Sequence, residues 1–189
     1  NHLEAVLNKL EESGSKIIKK GNSISIKGNK IKAVDIKTAP FPGFPTDLQA
    51  PFMALMTLAK GRSTISERIF ENRMTHVNFL NQMGALIKVD NNTATITGVK
   101  KLKGKNLVGS DLRSSAALII AALTSQNTSY VYGLEHLDRG YEGFESKLVN
   151  LGVKIRREYV IESRDQVKDF SEGNPNMNLK VAWLKRKQL

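Results

Sequence analysis

Four short stretches hold residues whose types and spacing could do chemistry. The first is Ala39-Pro40-Phe41-Pro42-Gly43-Phe44-Pro45-Thr46-Asp47-Leu48-Gln49-Ala50, whose prolines and glycine imply an extended, stiff approach to a helix start at Thr46-Asp47. A short carboxylate held still at the positive end of a helix suits a general base. The same two residues are equally favoured there as plain helix caps. The second stretch, Gly109-Ser110-Asp111-Leu112-Arg113-Ser114-Ser115, again puts an aspartate at a helix start, 64 residues further on, with Ser110 as the expected cap. Arg113 would lie in the first turn, where the helix dipole disfavours a cation, so it calls for an anionic partner: Asp111 or a bound anion. The other two stretches, Phe70-Glu71-Asn72-Arg73 with His76 and Leu137-Asp138-Arg139-Gly140-Tyr141, place arginines 66 residues apart at strand-to-helix joints. A guanidinium there can fork onto phosphate or carboxylate beside a helix N-terminus. It can also pair with Glu71 or Asp138 on its own segment. His76 reads as a packing or capping residue rather than a base.

The elements that must carry these residues recur. Leu7-x-x-Leu10 before Gly14, Leu80-x-x-Met83 before Gly84 and Leu148-x-x-Leu151 before Gly152 each read as an amphipathic helix stopped by glycine, then an alternating strand. The glycines are 70 and then 68 residues apart. The strands are Lys16–Lys19, Ala85–Val89 and Val153–Arg156. Hairpin partners follow at Ser23–Ile26 and Thr93–Thr97, behind Gly21-Asn22 and Asn91-Asn92. Then come extended runs at Ala33–Lys37 and Asn106–Val108, helices at Asp47–Ala59 and Asp111–Leu123, and strands at Arg62–Ser66 and Ser129–Tyr132. Each unit is β-β-β-α-β-α, or β-α-β-α-β-β counted from another start, an α/β arrangement of repeated supersecondary units. The chain opens in mid-repeat, and its first residue is Asn, which implies a trimmed or partial chain. After Val160 the pattern breaks into a polar stretch with Gly173-Asn174-Pro175-Asn176 as a turn. Leu179–Leu184 could then form a short strand or a helix turn, before a basic end at Lys185-Arg186-Lys187.

Composition narrows the classes. The chain has 189 residues, 40% apolar and 25% charged, so it can bury a core and is neither disordered nor collagen-like. No stretch approaches ~18 consecutive apolar residues, and the polar Asn1–Gly14 opening is no secretion signal, so no membrane partner is expected. The absence of cysteine removes disulfides, thiolate nucleophiles and thiolate zinc sites, and three scattered histidines do not suggest a metal. No metal and no cofactor are expected. The net charge of +11 favours anionic partners. The lysines are scattered and no RNA-type aromatic motif interleaves them, so nucleic acid is the less favoured partner.

Pro42-Gly43-Phe44-Pro45-Thr46-Asp47-Leu48-Gln49, Phe70-Glu71-Asn72-Arg73, Ser110-Asp111-Leu112-Arg113-Ser114-Ser115 and Asp138-Arg139-Gly140-Tyr141 resemble, in order and spacing, the UDP-N-acetylglucosamine enolpyruvyl transferase (UDP-N-acetylglucosamine 1-carboxyvinyltransferase) family. The resemblance runs from Asn1 to about Arg157. It implies an inside-out α/β barrel of enolpyruvyl transferase type, an α/β (α+β) fold of two domains with three similar units each. Residues 1–158 would be one partial domain, holding two complete units and the end of a third, and residues 159–189 a divergent tail.

The implied reaction moves the enolpyruvyl group of phosphoenolpyruvate to the 3′-hydroxyl of UDP-N-acetylglucosamine. This is the first committed step of peptidoglycan synthesis, in the cytoplasm. By the resemblance Asp47 contacts the sugar hydroxyl and serves in proton transfer, with Thr46 beside it. The backbone of Ile69 binds the UDP-sugar next to Phe70. Arg139 binds phosphoenolpyruvate, and Arg73, Asp111 and Arg113 line the same wall. The family's amino-terminal domain supplies a Lys-Asn pair and a mobile loop that this chain does not contain. The implied partners are therefore the two substrates and that domain. Two other readings stand beside this one: an inactive remnant or UDP-sugar binding module, and a basic nucleic-acid binder.

Overall fold

The computed structural model describes residues 2–160 and 179–185. The chain forms α1 (Glu4–Glu12), the hairpin β1 (Lys16–Lys20) and β2 (Ser23–Lys27), β3 (Ile36–Lys37), a single 3-10 turn (Thr46–Leu48) running into α2 (Gln49–Met56), and β4 (Arg62–Ser66). The order then recurs as α3 (Val77–Gln82), β5 (Leu86–Asp90), β6 (Thr93–Thr97), β7 (Asn106–Val108), α4 (Leu112–Thr124) and β8 (Ser129–Tyr132). It continues with α5 (Leu134–Asp138), α6 (Phe144–Asn150), β9 (Lys154–Val160) and β10 (Leu179–Lys185). The turn cluster at Gly173-Asn174-Pro175-Asn176 and the terminal Arg186-Lys187 lie outside the described residues.

The repeat is visible in the hydrogen bonding. Two four-stranded sheets share one order, β3-β4-β6-β5 and β7-β8-β10-β9. In each, the first pair is parallel, as a strand–helix–strand crossover requires, and the rest is antiparallel. Register recurs too: Ile65 faces Ala94 across the first sheet, and Val131 faces Ala182 across the second. The joints after the glycine-stopped helices match. The Lys32 N–H donates to the Ser13 carbonyl and the Lys103 N–H to the Met83 carbonyl, both at 2.8 Å. Leu179–Lys185, in the segment expected as a separate tail, stands in the second sheet where β6 stands in the first.

The crossover helices lie inside. α2 buries Ala50, Phe52, Met53, Ala54 and Met56, and α4 buries an unbroken run from Ser114 to Ile119 plus Ala121 and Ala122. Helices apolar on nearly every side must sit at the centre of a core. Here α2 and α4 pack on each other, with β4 and β6 against α2 and β8 against α4. The small residues Ala116, Ala117, Ala121 and Ala122 suit so close an approach.

The β1–β2 hairpin stands apart as a two-stranded sheet. At a shift of 70 residues, Ile24 and Ile26 correspond to Ala94 and Ile96. The latter are 0% exposed, whereas Ile24 is 43% and Ile26 53% exposed. In the complete unit, β4 pairs with β6 along this position and α2 packs against it. Among the described residues no strand covers it on β2.

Candidate active site

The prolines do not produce an extended approach to Asp47. The segment folds back as a closed turn: the Gly43 N–H donates to the Pro40 carbonyl at 2.8 Å, and the Ala39 N–H to the Phe44 carbonyl at 3.0 Å. A proline-fixed φ is as useful in a tight turn as in an extended run. Phe44 is thereby seated against Phe52 of α2, edge to face at 5.3 Å. The chain then enters a 3-10 turn rather than an α-helix, and neither Thr46 nor Asp47 caps it with a side chain.

Their side chains point to other partners. The Thr46 hydroxyl donates to Glu67 Oε2 at 2.9 Å. Asp47 Oδ1 accepts from Arg113 Nε at 2.6 Å and lies 2.5 Å from its Nη2. Both contacts fall on one oxygen, leaving Oδ2 able to accept from a hydroxyl. The Asp47 side chain is 66% exposed. Arg113, awkward in the first turn of α4, therefore finds its anion in Asp47 and not in Asp111.

Asp111 has the capping role expected of Ser110. Its Oδ1 accepts from the backbone N–H groups of Arg113 (2.9 Å) and Ser114 (3.1 Å) at the start of α4. Ser110 instead reaches across to Thr75, hydroxyl to hydroxyl at 3.1 Å, joining the segment after Arg73 to the α4 start. Nearby His76 is 1% exposed, and burial lowers its pKa to about 4 against a smaller upward pull from Asp111. Its Nε2 has no hydrogen-bond partner among the described residues. This is the packing role read from the sequence.

The arginines do not pair with their own neighbours. Arg73 lays its guanidinium over the Phe70 ring, 4.2 Å from the centroid. Asp138 is forked by Arg157, at 2.8 and 2.9 Å. Arg139 ends α5 with its side chain exposed, free of an ion pair among the described residues. Its segment lies beside the Asp47–Arg113 pair: a Cβ on Gly140 would come within 3.0 Å of the Leu112 side chain. Tyr141 is near enough to both charges for Asp47 to add to the upward push that burial gives its pKa, while Arg113 opposes it. Parts of three motifs thus meet at one place.

Sequence reasoning missed Glu67, which is 2% exposed. Its Oε1 accepts from the Thr38 hydroxyl (2.8 Å) and the N–H groups of Ile69 (2.8 Å) and Phe70 (3.2 Å), while Oε2 takes Thr46. A signal was available. The 66-residue shift that superimposes Arg73 on Arg139 puts Glu67 opposite Gly133, a departure from the repeat.

These features can be set beside known proteins. A family model described as EPSP synthase (3-phosphoshikimate 1-carboxyvinyltransferase) matches residues 1–148. Two relatives from Prochlorococcus marinus, each called UDP-N-acetylglucosamine 1-carboxyvinyltransferase, are similar over most of the chain. The one from strain MIT 9515 is 76% identical over 97% of this chain and 40% of its own length. The one from strain CCMP1986 is 74% identical over 92% and 38%. The chain thus spans about two fifths of the curated relatives it matches. Among solved structures, the enolpyruvyl transferase NikO from Streptomyces tendae superposes with a TM-score of 0.72 at 24% identity, over 79% of this chain and 35% of that one. An EPSP synthase from Acinetobacter baumannii gives 0.63 at 16% identity, over 97% and 39%. Both likenesses concern the fold, the same repeated-unit architecture built here around α2 and α4. With the family model matching residues 1–148, which hold the whole first sheet, β7 and β8 of the second and all four motif stretches, the chain belongs to the EPSP synthase (3-phosphoshikimate 1-carboxyvinyltransferase) family.

Proposed function

We propose that this chain supplies one half of an active site that transfers the enolpyruvyl group from phosphoenolpyruvate to the 3′-hydroxyl of UDP-N-acetylglucosamine. The names of its 74–76% identical relatives support this substrate pair. The observation that carries it is the Asp47–Arg113 contact, which joins motifs of two repeat units at an exposed carboxylate with one oxygen unused.

In this reading Oδ2 of Asp47 accepts the hydrogen bond of the sugar hydroxyl and takes its proton as the oxygen bonds to the phosphate-bearing carbon of phosphoenolpyruvate, while an acid of the amino-terminal domain protonates the methylene carbon. The resulting tetrahedral intermediate loses a proton from that methyl carbon and expels phosphate, which restores the double bond. Arg139, exposed beside Tyr141, binds phosphoenolpyruvate, where its guanidinium meets the charge that develops on the leaving group. Arg113 orients Asp47. Thr46, the Ile69 backbone and Phe70 hold the UDP-sugar, with Arg73 and Asp111 completing the wall. Residues 1–158 form a partial domain whose partner is the family's amino-terminal domain, and the apolar face of Ile24 and Ile26 supports an upstream segment docking on β2. The setting is the cytoplasm and the pathway peptidoglycan synthesis.

Phosphate release from the two substrates, with the amino-terminal portion of a relative added, tests this reading. Turnover by the unsubstituted pair, lost in Asp47→Asn, is the expected result. Binding of UDP-N-acetylglucosamine without turnover in any combination would favour the binding-module reading instead.

A further inference from the structure

We infer that Glu67 is a positioning residue for the UDP-sugar side of this site, holding the Thr46-Asp47 turn and the Ile69-Phe70 backbone in one fixed relation. The inference rests on the function proposed above. Its physical basis is the company that Glu67 keeps. The carboxylate is buried at the end of β4 and accepts from two hydroxyls and two backbone N–H groups. Among the described residues no cation pairs with it. Burying a carboxylate is a costly way to join two loops, and an apolar side chain of similar volume often does as well for stability alone. A carboxylate does something an apolar group cannot: it fixes the direction of every donor it accepts.

Two directions matter here. The Phe70 N–H points at Oε1, and the peptide that carries it is planar and trans, so the Ile69 carbonyl points the opposite way, off the carboxylate. That leaves a backbone acceptor presented outward beside Phe70. On the other oxygen, the Thr46 hydroxyl ties down a single 3-10 turn that has no side-chain cap. Asp47 is the next residue in that turn. Thr38 closes the arrangement, since its hydroxyl donates to Glu67 and accepts the Arg68 N–H at 2.7 Å. Asp47 and the Ile69 carbonyl, far apart in sequence, are thus referred to one carboxylate.

The test compares Glu67→Gln, Glu67→Leu and Thr38→Val in the chain combined with the amino-terminal portion of a relative, reading kcat and both KM values from phosphate release. Glutamine can keep an oxygen on the loop amides and donate to the Thr46 hydroxyl, so Glu67→Gln should stay within about tenfold of the parent in kcat/KM. Glu67→Leu should lose about a hundredfold, as small misplacements of reacting groups do, chiefly as a raised KM for UDP-N-acetylglucosamine with that for phosphoenolpyruvate changed less. A merely structural role would lower the active fraction, and so kcat, with both KM values unmoved; that outcome overturns the inference. If Glu67→Leu does not fold, Thr38→Val, which removes the Oε1 contact of a residue that has no part in holding substrate, takes its place: a raised KM for the UDP-sugar supports the inference, and unmoved KM values overturn it. Lack of turnover in the unsubstituted pair would instead sink the parent reading and this one with it.

Discussion

Arg113 reaches across 66 residues of sequence to place both Nε and Nη2 on a single oxygen of Asp47, joining the first turn of α4 to the 3-10 turn before α2. Each residue resolves a difficulty of the other. The guanidinium lies where the helix dipole disfavours it, and the carboxylate has no backbone N–H to cap. Because α2 and α4 hold equivalent places in successive units, the contact also crosses the boundary between repeats.

That geometry separates stability from catalysis. With Asp47 66% exposed, the ion pair should contribute under about 1 kcal/mol to folding. Asp47→Asn should leave the denaturation midpoint almost unmoved while turnover of the reconstituted pair falls to background. A large loss of stability in this variant would mean that Asp47 is chiefly structural.

By itself the chain should release no phosphate above background. The wall opposite Asp47 and Arg139 would be missing, and water would solvate both substrates where closure of a complete site would expel it. Losing even one donor to a developing charge typically costs ~3 kcal/mol. Phosphate release by the chain alone would show that the division of catalytic labour is different.

His76 makes stability depend on pH. Its pKa is lowered from 6.5 to about 4 in the folded chain, so between these values the unfolded state binds the proton and the folded state does not. The stabilisation from keeping His76 neutral is full above pH 6.5 and is lost as pH falls towards 4, by about 3 kcal/mol in all. Urea denaturation of the parent and of His76→Gln across this range should give a shallower slope for the variant. Equal slopes would mean that His76 does not set the pH dependence.

Gly133 and Gly84 both have positive φ, +79° and +94°, but their surroundings differ. A Cβ at Gly133 would lie 2.3 Å from the Gly109 carbonyl oxygen, whereas one at Gly84 would meet nothing within 4 Å. Gly84→Ala should therefore cost only the left-handed backbone penalty, about 1–2 kcal/mol. Gly133→Ala adds a clash with backbone that cannot rotate away, for a total near 3 kcal/mol or more. Thermal denaturation of the two variants should rank them in that order.

Much of the fold could be read from the repeat. The strands Arg62–Ser66, Thr93–Thr97, Asn106–Val108 and Ser129–Tyr132 have the bounds their alternation and flanking turns predict. Asp47–Ala59 proved less regular, starting as a 3-10 turn and ending as a helix at Met56, because Thr46 is tied to Glu67 instead of capping. Local preference favoured Ser110 as a cap as much as Asp111, and only the tertiary bond from Ser110 to Thr75 decides between them. Asp138 and Arg157 illustrate the general obstacle. Nothing local ties them together, and their pairing depends on how α5 and β9 are brought near each other. Glu67 was hidden for the same reason, since both its hydroxyl partners are contributed by other segments.

The uncovered face of β2 sets how the chain will behave in solution. A strand edge carrying Ile24 and Ile26 is a template for any free strand, including that of a second copy. Against that stands the charge of the same hairpin, since Lys16, Lys19, Lys20 and Lys27 would repel their counterparts on an approaching edge. Salt shortens the range of that repulsion, to about 3 Å at 1 M, and leaves the apolar attraction intact. Taken alone, the chain should therefore disperse best in dilute buffer and self-associate more readily as the ionic strength rises.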